Sequence, residues 1–138
     1  MATRMNPYLS FRDNARSAME FYQSVFGGDL TVSTFAEFHA SEEADEQKKV
    51  MHAQLEAPNG LVLMASDTPK RMELSEGSSI SVSLSGEDES ELRGYWDKLC
   101  DGGEVAMPLE AAPWGDVFGM CTDRFGTQWL VNVTQPRA

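Results

Sequence analysis

The chain has 138 residues, enough for one domain with a buried core that needs no disulfide or metal staple. Its 22 acidic and 11 basic residues give a formal net charge of −11, which repels phosphate backbones and anionic lipid and argues against nucleic acid and membrane as partners. No apolar run approaches the roughly 20 residues that span a bilayer, and the N-terminus lacks a signal-peptide core, so the expected location is cytoplasmic.

Met5 to Phe11 reads as a first strand, with Pro7 favouring an edge or irregular start. Asn14 is placed to cap a helix through Phe26, in which Ala18, Phe21, Tyr22, Val25 and Phe26 recur at helical spacing. Gly27-Gly28 stops it. Leu30 to Phe38 is the second strand, followed by a polar loop from His39 to Lys49 whose acidic run is a solvated surface. Val50 to Ala57 alternates, with Met51, Ala53 and Leu55 on one face and His52, Gln54 and Glu56 on the other. Asn59-Gly60 is a hairpin signal. It leads to Leu61–Ser66, apolar enough to expect cover on both faces, and then to a linker from Asp67 to Gly77.

Ser79 to Ser85 restarts the pattern with strict alternation. Glu87 to Asp101 is a second helix with Leu92, Tyr95, Trp96, Leu99 and Cys100 as its buried stripe, acids in its first turn and Gly102-Gly103 as its stop. Strands are expected at Glu104–Leu109, Asp116–Thr122 and Thr127–Thr134, with a loop through Trp114 and a turn at Arg124-Phe125-Gly126 set by Asp123. Trp96 and Trp129 belong to the core. Cys100 and Cys121 fall in a helix and a strand at neither a metal-site nor a disulfide-framework spacing, and read as buried free thiols.

The second half repeats the first. The Gly-Gly stops lie 75 residues apart (103 minus 28) and the turn glycines 66 apart (126 minus 60), so the first copy carries nine extra residues, matched by its acidic loop. The expected fold is α+β, a single domain over 1–138 built of two tandem βαβββ units, at about 4–67 and 78–135 with a linker at about 68–77. These would form a cleft-bearing, barrel-like mixed sheet with helices on the outside. Rows such as Ile80/Val82/Leu84 and Met51/Ala53/Leu55 belong under the helices, while Ser79/Ser81/Ser83/Ser85 and His52/Gln54/Glu56 suit a solvated or ligand-lined face.

Several stretches carry a family resemblance: Asn6-Pro-Tyr-Leu-Ser-Phe11, Phe21-Tyr22 with Gly27-Gly28, Met51-His-Ala53, Leu63-Met-Ala-Ser-Asp67, Gly103-Glu-Val-x-Met-Pro-Leu109, Trp114-Gly-x-x-x-Gly119 and Asp123-x-Phe-Gly-x-x-Trp129. In this order, over essentially the whole chain, they resemble the vicinal oxygen chelate superfamily of glyoxalases, bleomycin-resistance proteins and ring-cleaving dioxygenases, and within it the PhnB-like branch. The resemblance implies a homodimer. It also implies metal ligands of the His, Gln or Glu type on the first and last strands of each unit. Those positions fall near Pro7 and Ser81, with Asn6, Tyr8, Ile80 and Val82 one residue away, and at Met64 and Leu130. None is a good ligand, so no metal and no other cofactor is expected.

The groups left for the cleft are Tyr8, Ser10, His52, Gln54, Asp116 and Asn132 as hydrogen-bonding residues, with Trp114 placed to cover an apolar ligand. Of the two histidines, His39 sits in the polar loop, and His52 is the candidate acid–base group. No serine or cysteine has nucleophile surroundings, and no glycine-rich strand–loop–helix motif offers a place for a phosphate or a methyl donor. The leading expectation is metal-independent binding of an unidentified small molecule, neutral or cationic given the acidic balance. The alternatives are a metal-dependent lyase, isomerase or dioxygenase, with His52 as a possible general base, and a dimeric interaction module. Candidate ligand-binding residues are thus Tyr8, His52, Gln54, Trp114, Asp116 and Asn132; no catalytic residue is assigned.

Overall fold

The computed structural model describes residues 5–36, 47–68 and 80–136. The chain divides into two compact units, Met1–Glu76 and Gly77–Ala138. The acidic stretch 37–46 and the linker stretch 69–79 lie outside the described residues, so the expectations made for them are not taken further.

The first unit contains β1 (Tyr8–Phe11), α1 (Ala15–Phe26), β2 (Asp29–Thr34), β3 (Val50–Glu56) and β4 (Val62–Asp67). Its sheet has the order β1-β4-β3-β2, with β1 parallel to β4 and the other pairs antiparallel. α1 packs on one face, burying Ala15, Ala18, Met19, Tyr22, Val25 and Phe26 in a core with Ala53, Leu55, Leu63 and Ala65. Phe21, expected in this stripe, is only half-buried, and Met19 takes a core place.

Asn14 stands at the helix N-cap but makes no side-chain cap bond. The cap comes from the far end of the unit. Ala15 N–H donates to Asp67 Oδ1 at 2.9 Å, and Val50 N–H donates to Oδ2 at 2.9 Å. Asp67, expected to open the linker, is therefore the buried last residue of β4, and its carboxylate sits against the positive end of α1.

Two further expectations change here. A bulge pairs Ser33 with His52 and Thr34 with Val50, so Met51 is skipped and Val50 becomes the buried residue. β4 alternates between buried and half-buried positions and is not covered on both faces, because only one face meets α1.

The second unit contains β5 (Val82–Gly86), α2 (Glu89–Cys100), β6 (Glu104–Ala111), β7 (Val117–Thr122) and β8 (Gln128–Val133). Its sheet order is β5-β8-β7-β6, again with the first and last strands parallel. The described strands thus make two four-stranded mixed sheets, one for each of the two tandem βαβββ units expected from the repeat. α2 is capped by Asp88, which accepts from Glu91 N–H at 3.1 Å. It buries Leu92, Trp96 and Leu99 in a core with Leu84, Cys121, Trp129, Val131 and Val133; Tyr95 and Cys100 stay half-buried. Ile80 precedes β5 and is exposed, so it does not join Val82 and Leu84 under the helix.

The repeat has a steric basis. A Cβ on Gly28 would lie 2.2 Å from the Glu56 carbonyl oxygen, and one on Gly103 would lie 2.2 Å from that of Thr122. Glycines 75 apart thus meet carbonyls 66 apart (122 minus 56), as the offsets require. Both hairpins use a three-residue loop closed by a left-handed glycine, Gly60 (φ 75) or Gly126 (φ 91). The second loop is braced by Asp123, which accepts from Phe125 N–H, Thr127 N–H and the Trp129 indole. No helix among the described residues is long and apolar enough to cross a membrane.

Candidate functional site

Each helix covers one face of its own sheet. The other face is where side chains from all four strands can meet a ligand, and the pairing registers define which of them stand together.

In the first unit one row runs Tyr8, Met64, Gln54, Thr31 across β1, β4, β3 and β2. A second row places Ser10 beside Ser66, and His52 beside Ser33. The Tyr8 and His52 rings lie 6.0 Å apart, tilted by 38°. Gln54 Nε2 donates to Glu56 Oε1 at 2.8 Å. This face is polar apart from Met64, and it brings Tyr8, His52 and Gln54 into one group. His52 is on the side away from α1, as an acid–base role requires.

In the second unit the matching row is Ser83, Leu130, Met120, Met107, and the next is Ser85, Asn132, Phe118, Glu110. Trp114 stands edge-on to Phe118 with ring centroids 5.3 Å apart and is 53% exposed. The centre of this face is therefore apolar and partly open. Asp116, expected to open the strand, is buried just before β7: Oδ1 accepts from Gln135 N–H at 3.0 Å and Oδ2 from Asn132 Nδ2 at 3.2 Å. It holds the end of the chain and orients the Asn132 amide. Trp114, Asp116 and Asn132 thus form a second group, joined by Phe118, Met120 and Met107, which the sequence reading did not single out. Alternation along β7 together with the offset of 66 was the signal that could have found Phe118 and Met120.

Among the described residues, the groups with clearly displaced pKa values lie elsewhere in this unit. Burial, with the hydrogen bond to Glu91, pushes Tyr95 up to about 12. Burial, with the neighbouring Cys100, pushes the Cys121 thiol up to about 12.

A family model described as 3-demethylubiquinone-9 3-methyltransferase matches residues 3–132. The chain belongs to that family. The crystal structure of protein PA1353 from Pseudomonas aeruginosa is 37% identical and superposes with a TM-score of 0.82, covering 98% of this chain and 100% of that one. The PhnB protein from Bacillus cereus is 24% identical with a TM-score of 0.71, over 96% of this chain and 100% of its own. A glyoxylase/bleomycin resistance protein/dioxygenase domain from Frankia sp. EAN1pec, 15% identical, shares the fold with a TM-score of 0.64 over 98% and 99% of the two chains. With the PhnB protein and the Frankia domain the chain shares its fold, the one that the resemblance to the vicinal oxygen chelate superfamily implies.

Family membership raises two groups the chain would have to hold. For a divalent metal, the last-strand positions are Met64 and Leu130, and across the parallel strand pairs Tyr8 and Ser83 stand in register with them. Thioether, isobutyl, phenol and hydroxyl do not make a ligand set for such an ion. Among the described residues no three His, Cys, Asp or Glu side chains cluster closely enough to hold one elsewhere. For a methyl donor, the turn between β1 and α1 is Arg12-Asp13-Asn14, without a glycine, and β1 pairs with β4 in place of a second strand reached through α1. These residues do not fit a dinucleotide-type cradle, and no methyl-transfer step is derived from them.

Proposed function

We propose that the protein binds a small molecule on the open face of the second unit's sheet, without a metal, and that it acts by holding that molecule. One observation carries this reading: Leu130, Met120 and Met107 form a continuous row beside Phe118 and Trp114 on a face away from α2. Soft, adaptable thioethers and aromatic rings suit a flat apolar body, and Asn132, oriented by Asp116, supplies a hydrogen-bonding group at its border. The face carries Glu110 and the chain has a net charge of −11, so the ligand is neutral or cationic.

The same proposal includes a homodimer in the cytoplasm. Val105 and Met107 are 48% and 46% exposed on β6, which ends its sheet, and such an edge is commonly covered by a partner.

The test is a thermal-shift screen with aromatic probes in neutral, cationic and anionic forms, run on the wild type and on Met120→Glu. At a hundredfold excess over Kd a ligand adds about 2.7 kcal/mol to stability. Neutral or cationic probes should stabilise the wild type and leave Met120→Glu unmoved. Equal stabilisation of both proteins, or stabilisation by anions alone, would sink the reading.

A second reading rests on the Tyr8–His52 contact, which sets an imidazole beside a phenol on the open face of the first unit. That pair suits proton transfer on a bound substrate. Turnover of a trial substrate that His52→Asn abolishes without altering stability would move this reading to first place.

A further inference from the structure

Asn132 stands on the second unit's open face with its amide already turned. Asp116 fixes it: Oδ2 accepts from Asn132 Nδ2 at 3.2 Å, while Oδ1 is held by Gln135 N–H at 3.0 Å. A carboxylate at neutral pH only accepts hydrogen bonds, so reversing the amide would set two oxygens against each other. Nδ2 is therefore committed to Asp116, and Oδ1 is the atom left to a ligand. Among the described residues no donor reaches that oxygen. The row runs on from Asn132 through Phe118 to Glu110 on β6. Glu110 is exposed, and among the described residues it has no hydrogen-bond or ion-pair partner. Adjacent strands lie about 4.8 Å apart, so the two acceptors stand on strands about 10 Å apart with the Phe118 ring between them. Ser85, on the far side of Asn132, has a hydroxyl that rotates to donate or accept and so does not set the polarity of the row.

We infer that this face selects its ligand by hydrogen-bond donors. The ligand is a flat aromatic amine, with an O–H or N–H at one end for Asn132 Oδ1 and an ammonium at the other for Glu110. Asp116 is the positioning residue that sets the first preference. The inference rests on the reading that the second unit's open face binds a small molecule, and it narrows that molecule from neutral or cationic to donor-bearing. An ether or ketone at the Asn132 end would bring a second acceptor against Oδ1 and leave it unpaired once water is displaced. A carboxylate at the other end would meet Glu110 as a like charge. Phe118, with Trp114 edge-on to it, takes the ring between them.

Calorimetric titration with four compounds tests both ends. These are 5-hydroxytryptamine, which has the O–H and the ammonium; 5-methoxytryptamine, in which a methyl removes the donor; and the N-acetyl derivative of each, in which the charge is gone. The wild-type chain should bind 5-hydroxytryptamine about tenfold tighter than its methyl ether, the cost of leaving one acceptor unpaired. N-acetylation should weaken binding about threefold at low salt, and that difference should shrink as salt screens it.

Two variants separate positioning from mere support of the fold. With Asp116→Asn the new side chain can donate to Asn132 Oδ1 while still accepting from Gln135 N–H, so the Asn132 amide is free to turn. The preference for the hydroxyl over the methoxy compound should then fall below about twofold or invert. Glu110→Gln, a change at an exposed position, should remove the effect of acetylation and keep the tenfold preference for the hydroxyl. If Asp116→Asn does not fold, the wild-type ratios and Glu110→Gln decide alone. Equal affinity for hydroxyl and methoxy compounds in the wild type, a preference that folded Asp116→Asn retains, or an acetylation effect that Glu110→Gln leaves unchanged would overturn the inference. In each case binding that is lost in Met120→Glu leaves the underlying reading in place. Binding of none of the four, or binding that Met120→Glu retains, would remove that reading and the inference with it.

Discussion

The open faces of the two sheets share one register and differ in nearly every side chain. The offset of 66 sets Met64 against Leu130, Gln54 against Met120, His52 against Phe118 and Ser66 against Asn132. On the first strands Tyr8 and Ser83 flank the matched pair Met64 and Leu130. One face is thus polar around an imidazole, and the other apolar around thioethers and aromatic rings. What the units keep in common lies on the helix side and in the backbone: the glycine–carbonyl contacts at Gly28 and Gly103, and the loops closed by Gly60 and Gly126. The comparison separates residues that build a unit from residues that equip it.

The largest expected effect tests the building side. Gly28→Ala places a methyl against the Glu56 carbonyl at a residue with φ 97, so overpacking and backbone strain add to about 4 kcal/mol of lost stability. Gly103→Ala meets the same clash without the strain and should lose about 2 kcal/mol. Urea midpoints compared at constant m-value measure both. A loss under about 0.5 kcal/mol in either would show that the shared contact is not what both units depend on.

Next come the carboxylates, which the two units place differently. Asp67→Ala leaves the Ala15 and Val50 N–H groups without their acceptor in a buried site, at a cost of about 3 kcal/mol. Asp123→Ala opens the second hairpin and frees the Trp129 indole, at about 2–3 kcal/mol. If Asp67→Ala were neutral, the long-range cap of α1 would be wrong, and Asn14 would have to serve instead.

How much of this could be read from the chain follows the same division. Helical spacing, the Gly-Gly stops and the Asn59-Gly60 and Phe125-Gly126 turns fixed the order of elements, because each is a local signal. The bulge at Met51 and the cap by Asp67 were not legible, since both depend on strands that meet only in the fold. Tyr8, His52, Gln54 and Asn132 lie on the strands expected for them, Asp116 falls just before β7, and Phe118 and Met120 were passed over because apolar residues on a strand read as core. The two tandem βαβββ units were legible as well, because the repeat offset carries them, and each folds into its own four-stranded mixed sheet.

A smaller effect comes with alkaline pH and belongs to the second unit. The fold keeps Cys121 and Tyr95 protonated up to about pH 12, chiefly through burial. An unfolded thiol ionises near pH 8.5 and an unfolded phenol near pH 10. Between those values and about 12 the unfolded chain binds fewer protons, so stability is complete below roughly pH 8 and falls as pH rises through this window. Cys121→Ala should flatten the lower part of the fall and Tyr95→Phe the upper part. A decline that both variants retain would place the titrating group elsewhere.

The smallest effect on stability should accompany the largest effect on binding. The double exchange Phe118→His with Met120→Gln gives the second face the residues that the first carries at the matched positions, His52 and Gln54. Both side chains are half-buried on the face away from α2, so the exchange should move stability by no more than about 1 kcal/mol. Trp114 would lose its edge-on aromatic neighbour and the apolar row its middle member, so binding of any apolar probe should fall at least tenfold in a fluorescence titration of Trp114. Binding that survives the exchange would mean the difference between the faces is incidental. A large loss of stability would mean that Phe118 and Met120 belong to the core after all, and the division between building and equipping residues would have to be redrawn along β7.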